Sequence, residues 1–204
     1  MKKRLVMFLT LAMMSSFVFG GTSVFAEAAE ETEAAEETEA TEATEATEAA
    51  AEVVELNWSD VEGQIKESGI EGDFVTFDQI AMKVWVPAVL KEVELTEEDV
   101  ENGYIGYYAT DDQAAAMAIV YVNVDGMDLD AYTEKLAEDP DVKDPSRMVI
   151  NGYDCLNYDL ESNDSTNVAF ATEQGAILEF TFSPMSDEGF ASTASLMAAS
   201  IQPE

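Results

Sequence analysis

Residues 27–52 consist of Glu, Ala and Thr alone, a composition that cannot build a packed core. Ala28–Glu33 reads AAEETE, Ala34–Glu39 repeats it, and Thr38–Ala49 is four copies of TEA. Ala and Glu favour helix. However, the 11 Glu in this stretch repel one another at three- and four-residue spacing, and no apolar face is available for docking. The expectation is an extended, self-repelling, disordered linker. Folding is therefore left to residues 53–204, and about 150 residues suffice for one hydrophobic core.

The segment before the linker reads as an export signal. Lys2, Lys3 and Arg4 form a basic start, Leu5–Phe19 carries no charge, and Val24-Phe25-Ala26 supplies small residues at the minus-three and minus-one positions. This predicts a signal peptide over 1–26, cleaved after Ala26. No Cys follows the apolar run to take a lipid, and no later stretch is long and apolar enough to span a bilayer. The expected location is secreted or extracellular, with retention at the cell surface open and no membrane insertion once the leader is removed.

Charge narrows the partners. Residues 53–204 hold 32 acids against 6 bases, a net −26. Such a body repels nucleic acid and anionic lipid. It is compatible with cations or basic proteins, so the expected partner is a protein or a cell-surface ligand of unknown identity. Cys155 is the single cysteine, which rules out an internal disulfide, and its place in a strand-like run suits a buried, inert thiol.

Periodicity gives the elements. Ser59 and Glu62 have capping-box spacing at the start of a first helix, which Gly69 would end. Gly72–Phe77 and Ile80–Val86 read as strands, and Leu90–Leu95 as a weaker extended stretch. Thr96 and Asp99 again have capping spacing, around a single helical turn at Glu97–Glu101. Tyr104–Ala109 is a strand. Ala114–Val124 is a nearly unbroken apolar run, as expected of a central strand covered on both faces. Asp128 caps a helix whose Leu129, Tyr132 and Leu136 share a side. Asn151-Gly152 signals a hairpin between Met148–Ile150 and Tyr153–Leu160, and Val168–Thr172 with Ala176–Ser183 forms another. A last helix starts at Ser186–Glu188 and buries Phe190, Ala194, Met197 and Ile201. Short-loop hairpins dominate, so the fold class is α+β, a mainly antiparallel sheet covered by amphipathic helices.

Three segments carry a family resemblance: the strand ending Trp85-Val86-Pro87, the strand Met117–Val124 with the helix Asp128–Glu138 behind it, and the hairpin Ile150-Asn151-Gly152-Tyr153. Together with the closing strand Leu178–Phe182 and a terminal helix, their order over about residues 72–202 resembles the PsbP-like fold, an α/β/α sandwich of the extrinsic photosystem II protein and of many small exported bacterial proteins. The resemblance implies a non-enzymatic binding or accessory domain, and no functional residue is carried over with it.

The chemistry is limited by the absence of His. Ser-His and Cys-His nucleophile pairs and His-ligated zinc are excluded, and no Gly-rich phosphate loop is present. No catalytic residue and no cofactor is expected, with calcium as the one candidate ion. Asp125, Asp128 and Asp130 at a strand-to-helix junction are its candidate ligands. The competing account is that Asp128 caps the helix while Asp130 favours its dipole. Tyr104, Tyr107 and Tyr108 are the candidate binding residues, since clustered tyrosines mark contact surfaces. Adjacent Tyr107 and Tyr108 must face opposite sides of their strand, one packed and one solvated. Trp58 and Trp85 read as core. The alternatives to a binding domain are a secreted hydrolase working through paired carboxylates and a calcium-stabilised surface module.

Overall fold

The computed structural model describes residues 53–124, 126–173 and 175–204. Along them run β1 (Val54–Leu56), α1 (Trp58–Ser68), β2 (Gly72–Phe77), β3 (Met82–Pro87), β4 (Lys91–Glu92), α2 (Glu97–Glu101), β5 (Tyr104–Ala109), β6 (Ala116–Val122) and α3 (Leu129–Leu136). Then follow β7 (Val142–Ile150), β8 (Tyr153–Leu160), β9 (Ser165–Ala171), β10 (Ile177–Ser183), α4 (Glu188–Ser200) and β11 (Gln202–Pro203). The α+β class holds, but the strands divide between two sheets where the sequence predicted one. Eight pair in the order β1-β7-β8-β9-β10-β6-β5-β4, and three in the order β11-β3-β2. All pairs are antiparallel except β1 with β7. β1 and β11 escape sequence reading because three and two residues are too few to show alternation. The β2–β3 ribbon is tight at one end: a Cβ on Gly72 would lie 2.5 Å from the Val86 carbonyl and 2.7 Å from the Trp85 indole, so only glycine fits.

The large sheet is the middle layer. On one side, here the α4 face, α4 and the three-stranded sheet bring Ala194, Met197, Val84, Trp85 and Ile201 onto Met117, Ile119, Phe180 and Phe182. On the other, the α3 face, Leu129, Tyr132 and Leu136 pack on Leu156, Tyr158, Ala169 and Ile177. These layers make the α/β/α sandwich. Each fully buried large side chain contributes roughly 1.5–3 kcal/mol. Trp85 is 4 % exposed, and Trp58 is half-buried with an edge-on contact to Phe74 at 5.2 Å.

β6 departs from expectation. Met117 and Ile119 are fully buried, but Ala116, Ala118 and Val120 are only half-buried. α3 packs mainly against β7, β8 and β9 and meets β6 at Val122, so its short span leaves the α3 face of β5 and the rest of β6 only partly covered.

The first helix also starts differently. Its N-cap is Asn57, which makes no side-chain cap, in place of the Ser59–Glu62 capping box. Instead the Trp58 N–H donates to Asn151 Oδ1 at 2.7 Å. Asn151 Nδ2 in turn donates to the carbonyls of Ala199 and Ile201 at 2.9 and 2.7 Å. The hairpin residue, at φ 49°, thus ties β7, the start of α1 and the end of α4 together. Helix caps fall where expected elsewhere: Thr96 and Asp99 form a capping box on α2, and Asp128 caps α3.

Candidate functional site

Cross-strand register assembles the α3 face into two polar-studded rows. Residues directly opposite in antiparallel strands share a face. One row runs Tyr104, Val120, Glu179, Ala169, Leu156, Arg147, and the next runs Tyr107, Ala118, Thr181, Asn167, Tyr158. Tyr104 and Tyr107 are three residues apart and would ordinarily face opposite sides. A register shift between Tyr104 and Gly106, a bulge, puts both on the α3 face. It also lets Ile105 and Tyr108 enter the other core. Gly106 is required there, since a Cβ would lie 2.7 Å from the Phe77 ring.

The three predicted tyrosines therefore separate. Tyr108 is buried, its ring edge-on to Phe77 at 6.1 Å. Tyr104 and Tyr107 are half-buried side by side. Burial raises both hydroxyls above the ordinary phenol range, and the Asp99 carboxylate adds to this at Tyr104.

Of the predicted calcium ligands, Asp125 lies outside the described residues. Asp128 accepts from the Ala131 N–H at 2.9 Å, and Asp130 pairs with Arg147 at 3.0 Å. Among the described residues no group of three or more Asp, Glu, Cys or His is placed to hold a metal.

Sequence reading missed the most unusual group on this face, Glu179. It is 6 % exposed in mid-sheet. Its Oε1 accepts from Tyr132 Oη of α3 at 2.6 Å and from Tyr158 Oη of β8. Burial pushes the carboxyl above its usual range, opposed by the two phenol bonds. Both phenols are pushed up by burial, then by the carboxylate they face. Beside them Thr181 donates to Asn167 Oδ1 at 2.7 Å, while Asn167 Nδ2 and Ser165 Oγ are buried without a hydrogen-bond partner. The cluster anchors α3 to the sheet, and a carboxyl so enclosed cannot reach a polymeric substrate.

Two other features lie on the α4 face. Cys155 is buried, and burial pushes its thiol up to about 12, leaving almost no thiolate at neutral pH. A cleft of about 160 Å³ opens between α4 and the sheet, lined by Leu56, Met148, Ile150, Val168, Phe182 and Ala194.

No protein-family profile matches the chain. No curated protein matches it either. Among solved structures it is similar to the cyanobacterial PsbP (CyanoP) of Synechocystis sp. PCC 6803, at 12% identity and TM-score 0.47, covering 66% of this chain and 94% of that one. It is also similar to the Saccharomyces cerevisiae Ran-binding protein Mog1p, at 11% identity and TM-score 0.38, covering 66% and 96%.

Proposed function

We propose that this chain is an exported, tethered binding or accessory domain without catalysis, and that it engages its partner through the open part of the α3 face. The observation that carries this reading is the bulge-enforced pairing of Tyr104 and Tyr107, half-buried on strands outside those on which α3 mainly packs. Half-buried tyrosines on a rigid strand offer large contact area at little entropic cost. The leader at 1–26 and the Glu/Ala/Thr linker at 27–52 support export and a spacer between the domain and any point of attachment.

The test is affinity capture from cell-surface extract with the mature chain and with a Tyr104→Ala/Tyr107→Ala variant of matched melting midpoint. The expected result is a saturable partner held by the first and lost by the second. Equal retention by both, or no saturable partner, sinks the reading.

A further inference from the structure

We propose that the open α3 face around Tyr104 and Tyr107 receives an extended basic segment of another polypeptide, with Arg or Lys at alternate positions. This rests on the reading of that face as the binding surface and adds the chemistry of the partner.

Charge around the open part of the face is predominantly acidic. α2, β5, β6 and β10 contain no Lys or Arg. Lys91 of β4 stands opposite Ala109 and so shares this face, where it forms an exposed ion pair with Asp111 at 2.7 Å. α2 packs against β5 and carries Glu97, Glu98, Asp99 and Glu101, and the Asp99 charge is felt at the Tyr104 hydroxyl. The whole folded body stands at −26. A second copy of this chain and its own Glu-rich linker are therefore repelled, while a cationic segment is attracted.

Geometry sets the spacing. Tyr104 pairs with Val120 and Tyr107 with Ala118, so the two rings stand two β6 residues apart, about 7 Å at the rise of a strand. Alternate side chains of an extended segment recur at that same interval. Each ring then takes one cation over its π face, within about 6 Å of the centroid. Half-buried Val120 and Ala118 supply apolar floor for the stems of those side chains.

The experiment is a titration of ¹⁵N-labelled mature chain, acidic linker included, with a ten-residue peptide alternating Arg and Ser at about 0.15 M salt, where long-range attraction is screened. Amide shifts are expected to concentrate on 104–107 and 118–120. Affinity should fall about fivefold in Tyr107→Ala or Tyr104→Ala, the worth of one cation–π contact, and should persist in Tyr107→Phe, which keeps the ring. Shifts confined to residues 27–52, or equal affinity in the Ala variants, would overturn the proposal in favour of diffuse attraction. A neutral oligosaccharide shifting those amides where the peptide does not would overturn it in favour of a glycan. The two readings fail separately. Loss of the natural partner in the Ala variants without Arg-peptide binding removes only the partner's chemistry. Tyrosine-dependent peptide binding with the natural partner retained by the Ala variants removes the functional assignment of the face.

Discussion

On the α4 face of the large sheet, Met117, Ile119, Phe180 and Phe182 are sealed beneath a helix and a second sheet. On the α3 face the same two strands present Ala118, Val120, Glu179 and Thr181. The α4 face is mainly apolar, with Asn157 and Thr166 at its cleft, and gains its stability from packing. The α3 face is half covered, and where it is covered it buries a carboxyl that needs two phenols to be tolerated. A burial of that kind makes weak evidence for stability, because desolvating the carboxyl offsets what its bonds return. The lesson is a division of labour: one face of the sheet holds the body together, and the other is left partly open to contact.

The largest expected effect tests the closed face. Phe180→Ala removes a fully buried ring that stands edge-on to Phe170 at 6.0 Å, and it should cost about 3–5 kcal/mol by chemical denaturation. A loss no greater than that of an exposed site would erase the contrast between the faces.

The buried cluster comes next. Tyr158→Phe strips one donor from Glu179 and should cost about 1–3 kcal/mol at neutral pH. Glu179→Gln keeps an acceptor for both phenols and removes the ionisable proton, so it should be neutral or stabilising at pH 7. The pH dependence sharpens this. The folded carboxyl is raised above 4.5, largely by burial, so the folded state holds the proton more tightly than the unfolded chain. The stability it lends is full below about 4.5 and is lost as pH rises through the raised folded value. Subtracting the Glu179→Gln profile from that of the parent isolates this slope from the self-repulsion of the other carboxylates. Parallel profiles would mean that Glu179 ionises no differently when folded.

Much of this contrast was legible in the sequence, and the misses have physical causes. Leu178, Phe180 and Phe182 alternate with Glu179 and Thr181, which fixes the apolar face but makes Glu179 look solvated. The missed signal lay elsewhere: Tyr132 in the buried stripe of α3 and Tyr158 in the apolar alternation of β8 each bring a hydroxyl that must find a partner once buried. Tyr107 and Tyr108 separate by simple alternation. That Tyr104 joins Tyr107 depends on the bulge, whose trace in sequence is Gly106 inside a strand. The reach of Asn151 to α1 and α4 has no local signature, because residues about 50 and 90 positions away supply its partners.

The smallest effect probes the start of α3, which Arg147 meets from β7 in the covered part of the α3 face. Asp128→Ala removes a cap and should cost about 1 kcal/mol. Arg147→Ala breaks an exposed pair with Asp130 and should cost at most about 1 kcal/mol. If Asp128 and Asp130 serve only as cap and ion pair, calcium should move the melting midpoint no further than magnesium at matched ionic strength, in parent and variant alike. A calcium-specific rise that disappears in Asp128→Ala would instead assign the junction to a cation. The start of α3 would then be held by metal, and the coverage of this face would depend on the solvent outside it.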